Sequence, residues 1–448
     1  MINTCIFPGF NISSTSKSFN FRCKTLILCS LLVIFDTISF GKPLMPPDDQ
    51  APMKEEINDP AIHTVQFTKS GLSNSYPILQ LNSQQDLVSL QFDVLGNASS
   101  KNYQFTVVHC DADWRKSAML QSDYLDGLYS DFITTYTFSS GTYVHYTHYV
   151  INFPSSNIHV KISGNYMLKV FLDDPERPVL TRRFYVFDQQ MRVGGTAKRA
   201  TYSKYSDTKQ EINFTINTNG ISLFDPFSEI KTVIKQNWRS DNEITDLKPT
   251  YIRNQQLIYD YQEGNLFDAG SEFRPFDTRD VRYKGTGVRN ITFDSLYNAL
   301  LYPDDDHSYT AYNTVTDQNG SFTITDASNG DASSTGDYIM VHFNLAPTYL
   351  DDGKDIYVFG GLSDWRLERR FKMEYNKRYG YQCNVLLKQG YYDYQYVKVN
   401  DGKIDPSEFE GNHWETENNY TVFVYYRPPS MYGDLLVAVL RLNTGLQK

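Results

Sequence analysis

The chain has 448 residues, of which 40% are hydrophobic and 21% are charged, so it can form packed cores and is not a disordered polypeptide. The formal net charge is −10, which argues against a nucleic-acid partner because such a partner requires a basic face. Aromatic residues make up 15% of the chain, with 34 Tyr and 28 Phe, and this composition favours β-strands.

Residues 1–41 are predicted to be a signal peptide. Lys17, Arg22 and Lys24 precede the apolar run TLILCSLLVIF, and no acidic residue occurs before Asp36. The run is short for a bilayer span and has the length of a signal-peptide core. No later apolar stretch approaches twenty residues, so we expect an exported, soluble protein with no membrane span.

Two cysteines, Cys110 and Cys383, remain once the signal peptide is removed. Both lie in strand-like runs of different predicted domains. An oxidising compartment permits a disulfide between them, but we expect two buried free thiols.

The segment after the signal peptide, residues 42–60, is rich in proline and acidic residues and is predicted to be an extended linker. Residues 61–190 then contain short apolar or alternating runs separated by turn sequences, such as LVSLQFDVLG, YQFTVVHC and TRRFYVFD. In YMLKVFL every second residue is apolar, which is the pattern of a strand with one buried face. This block is predicted to be a β-sandwich.

The remainder of the chain follows the same pattern. Residues 191–302 contain EINFTIN and other strand-like runs and are predicted to be a second β domain. Residues 303–337 are predicted to be a polar linker with one short strand, GSFTITD, and residues 338–448 are predicted to be a third sandwich that starts at YIMVHFNL. The expected fold is therefore all-β, with three consecutive immunoglobulin-like sandwich domains joined by short linkers.

Candidate catalytic patterns are weak. His145 and His148 are three residues apart in a strand-like run, so they should point to opposite faces and not bind one metal. Glu415 and Glu417 would share one strand face, but no partner carboxylate or cleft is evident. Since the common nucleotide-binding, hydrolase and metalloprotease motifs are also missing, we expect no enzymatic activity and no cofactor.

A cluster of carboxylates could form a cation site. Its members are separated by irregular spacings that do not match a calcium-binding EF-hand loop, and we expect them to cap turns rather than to bind calcium. They are Asp111, Asp113, Asp123 and Asp126.

The third block resembles the glycogen- and starch-binding sandwich modules of amylase-type enzymes in IYVFGGLSDW and in GYQCNVLLKQGYYDYQYVKVNDG. In those modules one aromatic platform for sugar is a Trp in the first loop, which Trp365 matches. A second platform follows the Asp-Gly turn, where this chain has Lys403. We therefore expect Trp365 to pack against the sandwich, and glycan binding through Trp365 stands as the alternative function.

A more extensive resemblance runs in order along nearly the whole mature chain. The chain is similar to the type IX secretion system plug proteins of Bacteroidetes in HCDADW (109–114), LQSDYLDG (120–127), ISGNYMLKVF, PVLTRRFYV, DPFSEIKTVIKQNWRSDN (225–242), GSEFRPFDTRDVRY (270–283) and GNHWETENNYTVFVYYRPP (411–429).

This resemblance implies a non-enzymatic periplasmic protein. It would be a monomer bound to the inner side of the outer membrane through the giant translocon barrel (SprA/Sov type), whose periplasmic end it would close when no cargo is engaged. Nothing in the sequence indicates which surface contacts the barrel.

Overall fold

The predicted signal peptide lies outside the residues that the computed structural model describes, which are 51–83, 85–96, 99–327, 331–346 and 353–445. The described residues form mainly antiparallel sheets with only single-turn helices, which confirms the predicted all-β sandwich fold. None of the helices in these ranges is long and apolar enough to cross a membrane.

The first part of the chain contributes twelve strands. They are β1 (Glu56–Ile57), β2 (Ile62–Lys69), β3 (Ile78–Gln80), β4 (Val88–Leu95), β5 (Gln104–Cys110), β6 (Leu125–Gly127), β7 (Asp131–Phe132), β8 (Thr135–Phe138), β9 (Tyr146–Phe153), β10 (Ile158–Val160), β11 (Gly164–Phe171) and β12 (Leu180–Phe187).

These strands build the first sandwich from two main sheets. Sheet I has the order β1-β12-β11-β5-β7, with β3 added to β12, and sheet II has the order β2-β4-β9-β8. The inner faces enclose an apolar core to which Tyr166, Leu168 and Val170 contribute, as the alternation in YMLKVFL predicts. All eight residues of β11 are buried, however, because its outer face is also covered by another sandwich.

The middle of the chain supplies two further groups of strands. The first group is β13 (Arg192–Arg199), β14 (Lys209–Asn217), β15 (Ile230–Gln236), β16 (Ile244–Thr245), β17 (Tyr251–Arg253), β18 (Gln256–Tyr259) and β19 (Leu266–Asp268). The second group is β20 (Arg274–Asp277), β21 (Val288–Phe293), β22 (Tyr297–Leu301), β23 (Phe322–Ile324), β24 (Tyr338–Leu345), β25 (Asp355–Phe359), β26 (Glu374–Asn376), β27 (Gly380–Lys388), β28 (Gly390–Asn400) and β29 (Lys403–Asp405).

Two long strands end the described chain, β30 (Asn419–Tyr426) and β31 (Leu435–Asn443). The helical elements are short: α1 (Gln121–Tyr124), α2 (Pro226–Glu229), α3 (Ala332–Thr335), α4 (Ser407–Glu410) and the 3₁₀ turns Gly361–Ser363 and Arg369–Phe371.

The second sandwich is discontinuous in sequence. Its sheet III has the order β13-β14-β18-β17, with β19 on β14, and its sheet IV has the order β16-β15-β30-β31. Strand β15 pairs with β30 along its whole length, from Ile230 opposite Tyr426 to Gln236 opposite Tyr420. The last two strands of the chain therefore complete the core of the second sandwich and do not belong to the third.

The third sandwich is inserted between β19 and β30. Strands β20, β23, β25 and β29 all pair with β28, and the opposing sheet has the order β21-β22-β24-β27-β26. The range predicted as a third sandwich, 338–448, thus lacks β20 to β23 and contains two strands of its neighbour. The predicted consecutive arrangement is wrong for these two sandwiches, because strand periodicity identifies buried faces and not pairing partners. The expected strand in GSFTITD is present as β23, paired with β28.

The end of the predicted linker is part of the first sandwich. Glu56 and Ile57 pair with β12, and the backbone N–H of Met53 donates to the carbonyl of Trp114 at 2.9 Å. Residues 51–60 are therefore attached to sheet I and do not form an extended spacer.

Candidate functional site: domain junctions and an exposed sheet edge

The first junction joins the outer faces of sheets I and IV. The ring of Tyr185 stacks on that of Phe423 with centroids 4.3 Å apart, and the Tyr425 hydroxyl donates to Asn165 Oδ1 at 2.8 Å. The apolar cluster around this stack consists of Ile78, Cys110, Ala112, Trp114, Met167, Tyr185, Val233, Phe423, Tyr425 and Leu436. Three residues of the HCDADW motif thus serve the contact between two sandwiches.

A buried carboxylate closes one end of the first junction. Asp434 accepts hydrogen bonds from the Ala112 N–H at 2.9 Å, from Lys231 Nζ at 3.0 Å and from Arg427 Nε at 2.7 Å. Burial opposes ionisation of Asp434, but Lys231 and Arg427 hold its pKa below the usual value. Arg427 also pairs with Asp111 at 2.7 Å, so this carboxylate, weighed above as a calcium ligand, forms an interdomain ion pair.

The second junction is a buried polar network between sheet II and the third sandwich. Asp93 accepts from Lys388 Nζ at 2.7 Å and from the Tyr338 hydroxyl at 2.8 Å, and its other oxygen lies 2.7 Å from His148 Nδ1. The Lys388 ammonium also lies 4.0 Å from the centroid of the Tyr146 ring. Burial lowers the pKa of Lys388, and the attraction of Asp93 opposes this effect.

Trp365 lies where the second and third sandwiches meet. It is half-buried, and its ring is approached edge-on by Phe273 and Phe359, with centroids 5.8 and 5.5 Å away. The guanidinium of Arg239, from the second sandwich, lies 5.7 Å from the ring centroid. Trp365 therefore contacts residues of both sandwiches.

All three sandwiches line a cavity of about 360 Å³. On one side Tyr76 of the first sandwich stacks on Trp238 of the second, with centroids 4.2 Å apart. On another side Asn74 Nδ2 donates to Thr323 Oγ1 of the third sandwich at 3.0 Å. Trp365 also lines this cavity. The cavity is therefore a space between the packed domains.

The remaining candidate patterns are dispersed. His148, in β9, is buried in the second junction, whereas His145 lies just before that strand and is exposed. Glu415 and Glu417 lie in the loop before β30, so the expected strand is wrong there, and Glu417 accepts from Asn443 Nδ2 at 2.9 Å. In the part of the chain that the structure describes, no group of three or more His, Cys, Asp or Glu residues is placed to hold a metal ion.

The free edge of sheet II is an exposed surface that the sequence patterns did not identify. Strand β8 is the last strand of this sheet, and all four of its residues, Thr135 to Phe138, are exposed. The rings of Tyr136 and Phe138 lie 5.7 Å apart and are each 41% exposed. The signal was present in the sequence as TYTF, a short run of β-branched and aromatic residues.

Comparison with known proteins identifies the family. The family model described as the type 9 secretion system plug protein 1st domain matches residues 62–188, which span the first sandwich from β2 to the end of β12. The chain belongs to the type IX secretion system plug protein family. This plug-family protein has a role in type IX secretion and a location in the cell envelope, and its family is a structural component of secretion.

A solved structure extends the similarity over the other two sandwiches. A hypothetical protein from Parabacteroides merdae ATCC 43184 is 32% identical, with a TM-score of 0.84, and the match covers 88% of this chain and 100% of that chain. The nested arrangement is therefore shared with a relative of this plug-family protein.

The C-terminal domain of the Streptococcus agalactiae AgI/II polypeptide BspA is 8% identical, with a TM-score of 0.13, over 84% of this chain and 99% of that chain. These values carry no conclusion about fold or function. A search of curated proteins gives no match.

Proposed function

We propose that this protein is the non-enzymatic plug of the type IX secretion system. It binds the periplasmic end of the giant outer-membrane translocon barrel (SprA/Sov type) and closes that end when no cargo is engaged. In this proposal the protein is a periplasmic monomer that associates with the outer membrane only through the barrel.

The observation that carries the proposal is the way the three sandwiches are joined. The described residues, from 51 onward, form one compact unit, in which apolar stacking fills the first junction and a buried ion pair lies in the second. Sandwiches joined only by linkers would move relative to one another. A protein that closes a wide pore must keep its shape against the barrel, and buried junctions supply that stiffness.

The binding also has to be reversible. Standard protein–protein interfaces bury about 1,600 Å², and their energy is concentrated in a few Tyr, Trp and Arg side chains. If cargo favours the open state of the barrel and weakens plug binding, the plug must oppose opening by the same free energy, because coupling between binding sites is reciprocal.

The test is recovery of the partner from the native host. The full-length protein, tagged at its C-terminus, is expressed in a host strain lacking its own copy, and outer membranes are solubilised in mild detergent. We expect the giant barrel to co-purify and the free protein to have the mass of a monomer by light scattering. Soluble recovery without the barrel, in a strain that expresses it, contradicts the proposal.

The matched control is a variant in which the junctions are loosened without changing the surface. Lys388→Met removes one partner of the buried ion pair at the second junction. If stiffness is needed, this variant should recover less barrel than wild type when equal amounts of folded, exported protein are compared.

A further inference from the structure

The free edge of sheet II has unpaired backbone groups whose direction can be assigned. The Ser139 N–H donates to the Tyr146 carbonyl at 2.9 Å, and the pairing continues without a register shift from Phe138 opposite Thr147 to Thr135 opposite Val150. Backbone groups of alternate residues in a strand point to opposite sides. The N–H and C=O of Tyr136 and Phe138 therefore point away from β9, toward the open edge.

No other described segment of the chain pairs with this edge. Strand β8 has one neighbour, β9, and the hydrogen bonds of the following loop begin only at Ser139 and Ser140. The edge therefore presents two N–H donors and two C=O acceptors over Tyr136 to Phe138.

The edge lacks most of the features that prevent pairing. Natural sheets shield edge strands with lysine or other charges, with proline, with a bulge, or by keeping the strand very short. Strand β8 is short, at four residues, but TYTF contains no charge and no proline, and the pairing of β8 with β9 has no bulge. Aromatic and β-branched residues at all four positions favour an extended conformation and cross-strand packing.

Exposed apolar side chains flank the edge. Leu128, Tyr129 and Phe132 precede β8 in the chain and are 52 to 59% exposed. Phe132 belongs to β7, the edge strand of sheet I, so the exposed side chains extend across the open side of the first sandwich. An added strand would find apolar contacts for its side chains as well as backbone partners.

We propose that β8 binds an extended segment of a partner polypeptide as a fifth strand of sheet II. An extended backbone is the occupant that fits, because it offers donors and acceptors at the strand repeat, whereas the backbone of a helix is already internally bonded. Under the proposed function, on which this identification rests, the segment comes from the periplasmic end of the translocon barrel.

The first experiment removes a backbone donor. Proline is tolerated on an edge strand where the missing N–H faces outward, so Phe138→Pro should keep the β8–β9 pairing while blocking the edge. Phe138→Ala loses the same side chain and keeps the N–H. We expect Phe138→Pro to weaken binding to detergent-solubilised barrel by about tenfold or more and Phe138→Ala by about threefold or less. Equal binding by the two variants overturns the proposal.

A second experiment does not depend on proline. Among the described residues the cysteines are Cys110 and Cys383, and both are buried, so in protein purified without the predicted signal peptide Tyr136→Cys gives one exposed thiol that can be labelled with benzophenone-maleimide. Labelled protein is mixed with solubilised outer membranes and irradiated, with Tyr251→Cys, at a residue that is 68% exposed on the second sandwich, as the control. We expect a cross-link from position 136 to one segment of the barrel, located by mass spectrometry.

The outcomes separate this inference from the proposed function. Co-purification of the barrel with unchanged binding by Phe138→Pro, or with no cross-link at position 136, leaves the plug function intact and overturns edge pairing. A cross-link to a second copy of this chain shows that self-pairing occupies the edge and also overturns the proposal. Failure of the barrel to co-purify with wild type contradicts the plug function itself.

Discussion

Lys388 Nζ lies 2.7 Å from Asp93 Oδ2, and both side chains are about 1% exposed, so one buried ion pair links sheet II of the first sandwich to β27 of the third. The two residues are 295 positions apart in the chain. The pair therefore connects elements that local sequence cannot bring together. It also makes the second junction sensitive to the loss of either partner.

Removal of one partner should be costly. Asp93→Asn leaves the Lys388 ammonium buried without a counter-charge, and breaking a buried pair in this way typically costs about 3–5 kcal/mol of unfolding free energy. Lys388→Met should be similarly destabilising, and the double variant Asp93→Asn/Lys388→Met should be more stable than the sum of the two losses predicts. Denaturant unfolding measures all three, and additive losses would show that the pair is not coupled.

The control for this double-mutant cycle is a Lys–Asp ion pair on the surface. Lys101 Nζ lies 3.1 Å from Asp59 Oδ2, and its side chain is 42% exposed. Lys101→Met should change stability far less than Lys388→Met, because exposed ion pairs are screened by water and salt.

The variant Trp365→Ala distinguishes glycan binding by Trp365 from a role of this residue in packing. Its contacts with Phe273, Phe359 and Arg239 predict that Trp365→Ala destabilises the protein by about 2 kcal/mol, below the usual cost for a fully buried Trp because the ring is only half-buried. Tyr309→Ala, at a residue that is 90% exposed, should leave stability unchanged. Thermal and denaturant unfolding give both values.

The same variant decides the ligand question. Affinity electrophoresis in gels containing starch or glycogen should show no retardation of wild type or of Trp365→Ala. Retardation of wild type that Trp365→Ala abolishes would favour the glycan-binding alternative.

The two cysteines that remain in the mature chain should behave as buried thiols. Cys110 lies in the first junction and Cys383 in the core of the third sandwich; both are free, and burial raises the pKa of each to about 12. The native protein should react slowly with Ellman's reagent. When the exported protein is unfolded in guanidinium without a reductant, two thiols per chain should react. Rapid reaction of the native state, or no reaction after unfolding, would contradict this assignment.

Local pattern predicted the strands but not their partners. The alternation of Ile212, Phe214 and Ile216 in EINFTIN is reproduced by their burial in β14. Strand β30, however, pairs with β15, nearly 200 residues earlier, and a period-2 pattern carries no information on which of many similar strands lies alongside. The nested arrangement of the second and third sandwiches therefore could not be read from the sequence.

The contacts at the domain junctions could not be predicted from the sequence for a related reason. Asp93 and His148 stand at strand positions where polar residues normally face water, yet the third sandwich covers that face and buries them. The residue Lys388 that neutralises Asp93 lies in another domain, so its role depends on domain packing. The exposed edge of β8 was visible as a strand-forming run, but its position at the end of a sheet follows only from the pairing.

Asp393 gives a pH dependence of stability whose sign is set by burial. Asp393 on β28 is buried, it accepts hydrogen bonds from the backbone N–H groups of Gln318 and Gly320, and burial raises its pKa to about 7. A carboxyl whose pKa is higher in the folded state binds its proton more tightly there. Its stabilising contribution is complete below the unfolded pKa near 4 and is lost as pH rises to about 7.

Asp393→Asn should remove this dependence, because the amide keeps an acceptor for the two N–H groups and carries no charge to desolvate. We expect the variant to gain up to a few kcal/mol over wild type at pH 8 and to have nearly equal stability at pH 4. Asp401→Asn, at an exposed turn residue with φ of 49°, is the matched control and should follow the wild-type pH profile. Urea unfolding at pH 4 to 8 measures the three curves, and a wild-type stability that falls over this range by the same amount as that of Asp393→Asn would show that Asp393 is not the group responsible.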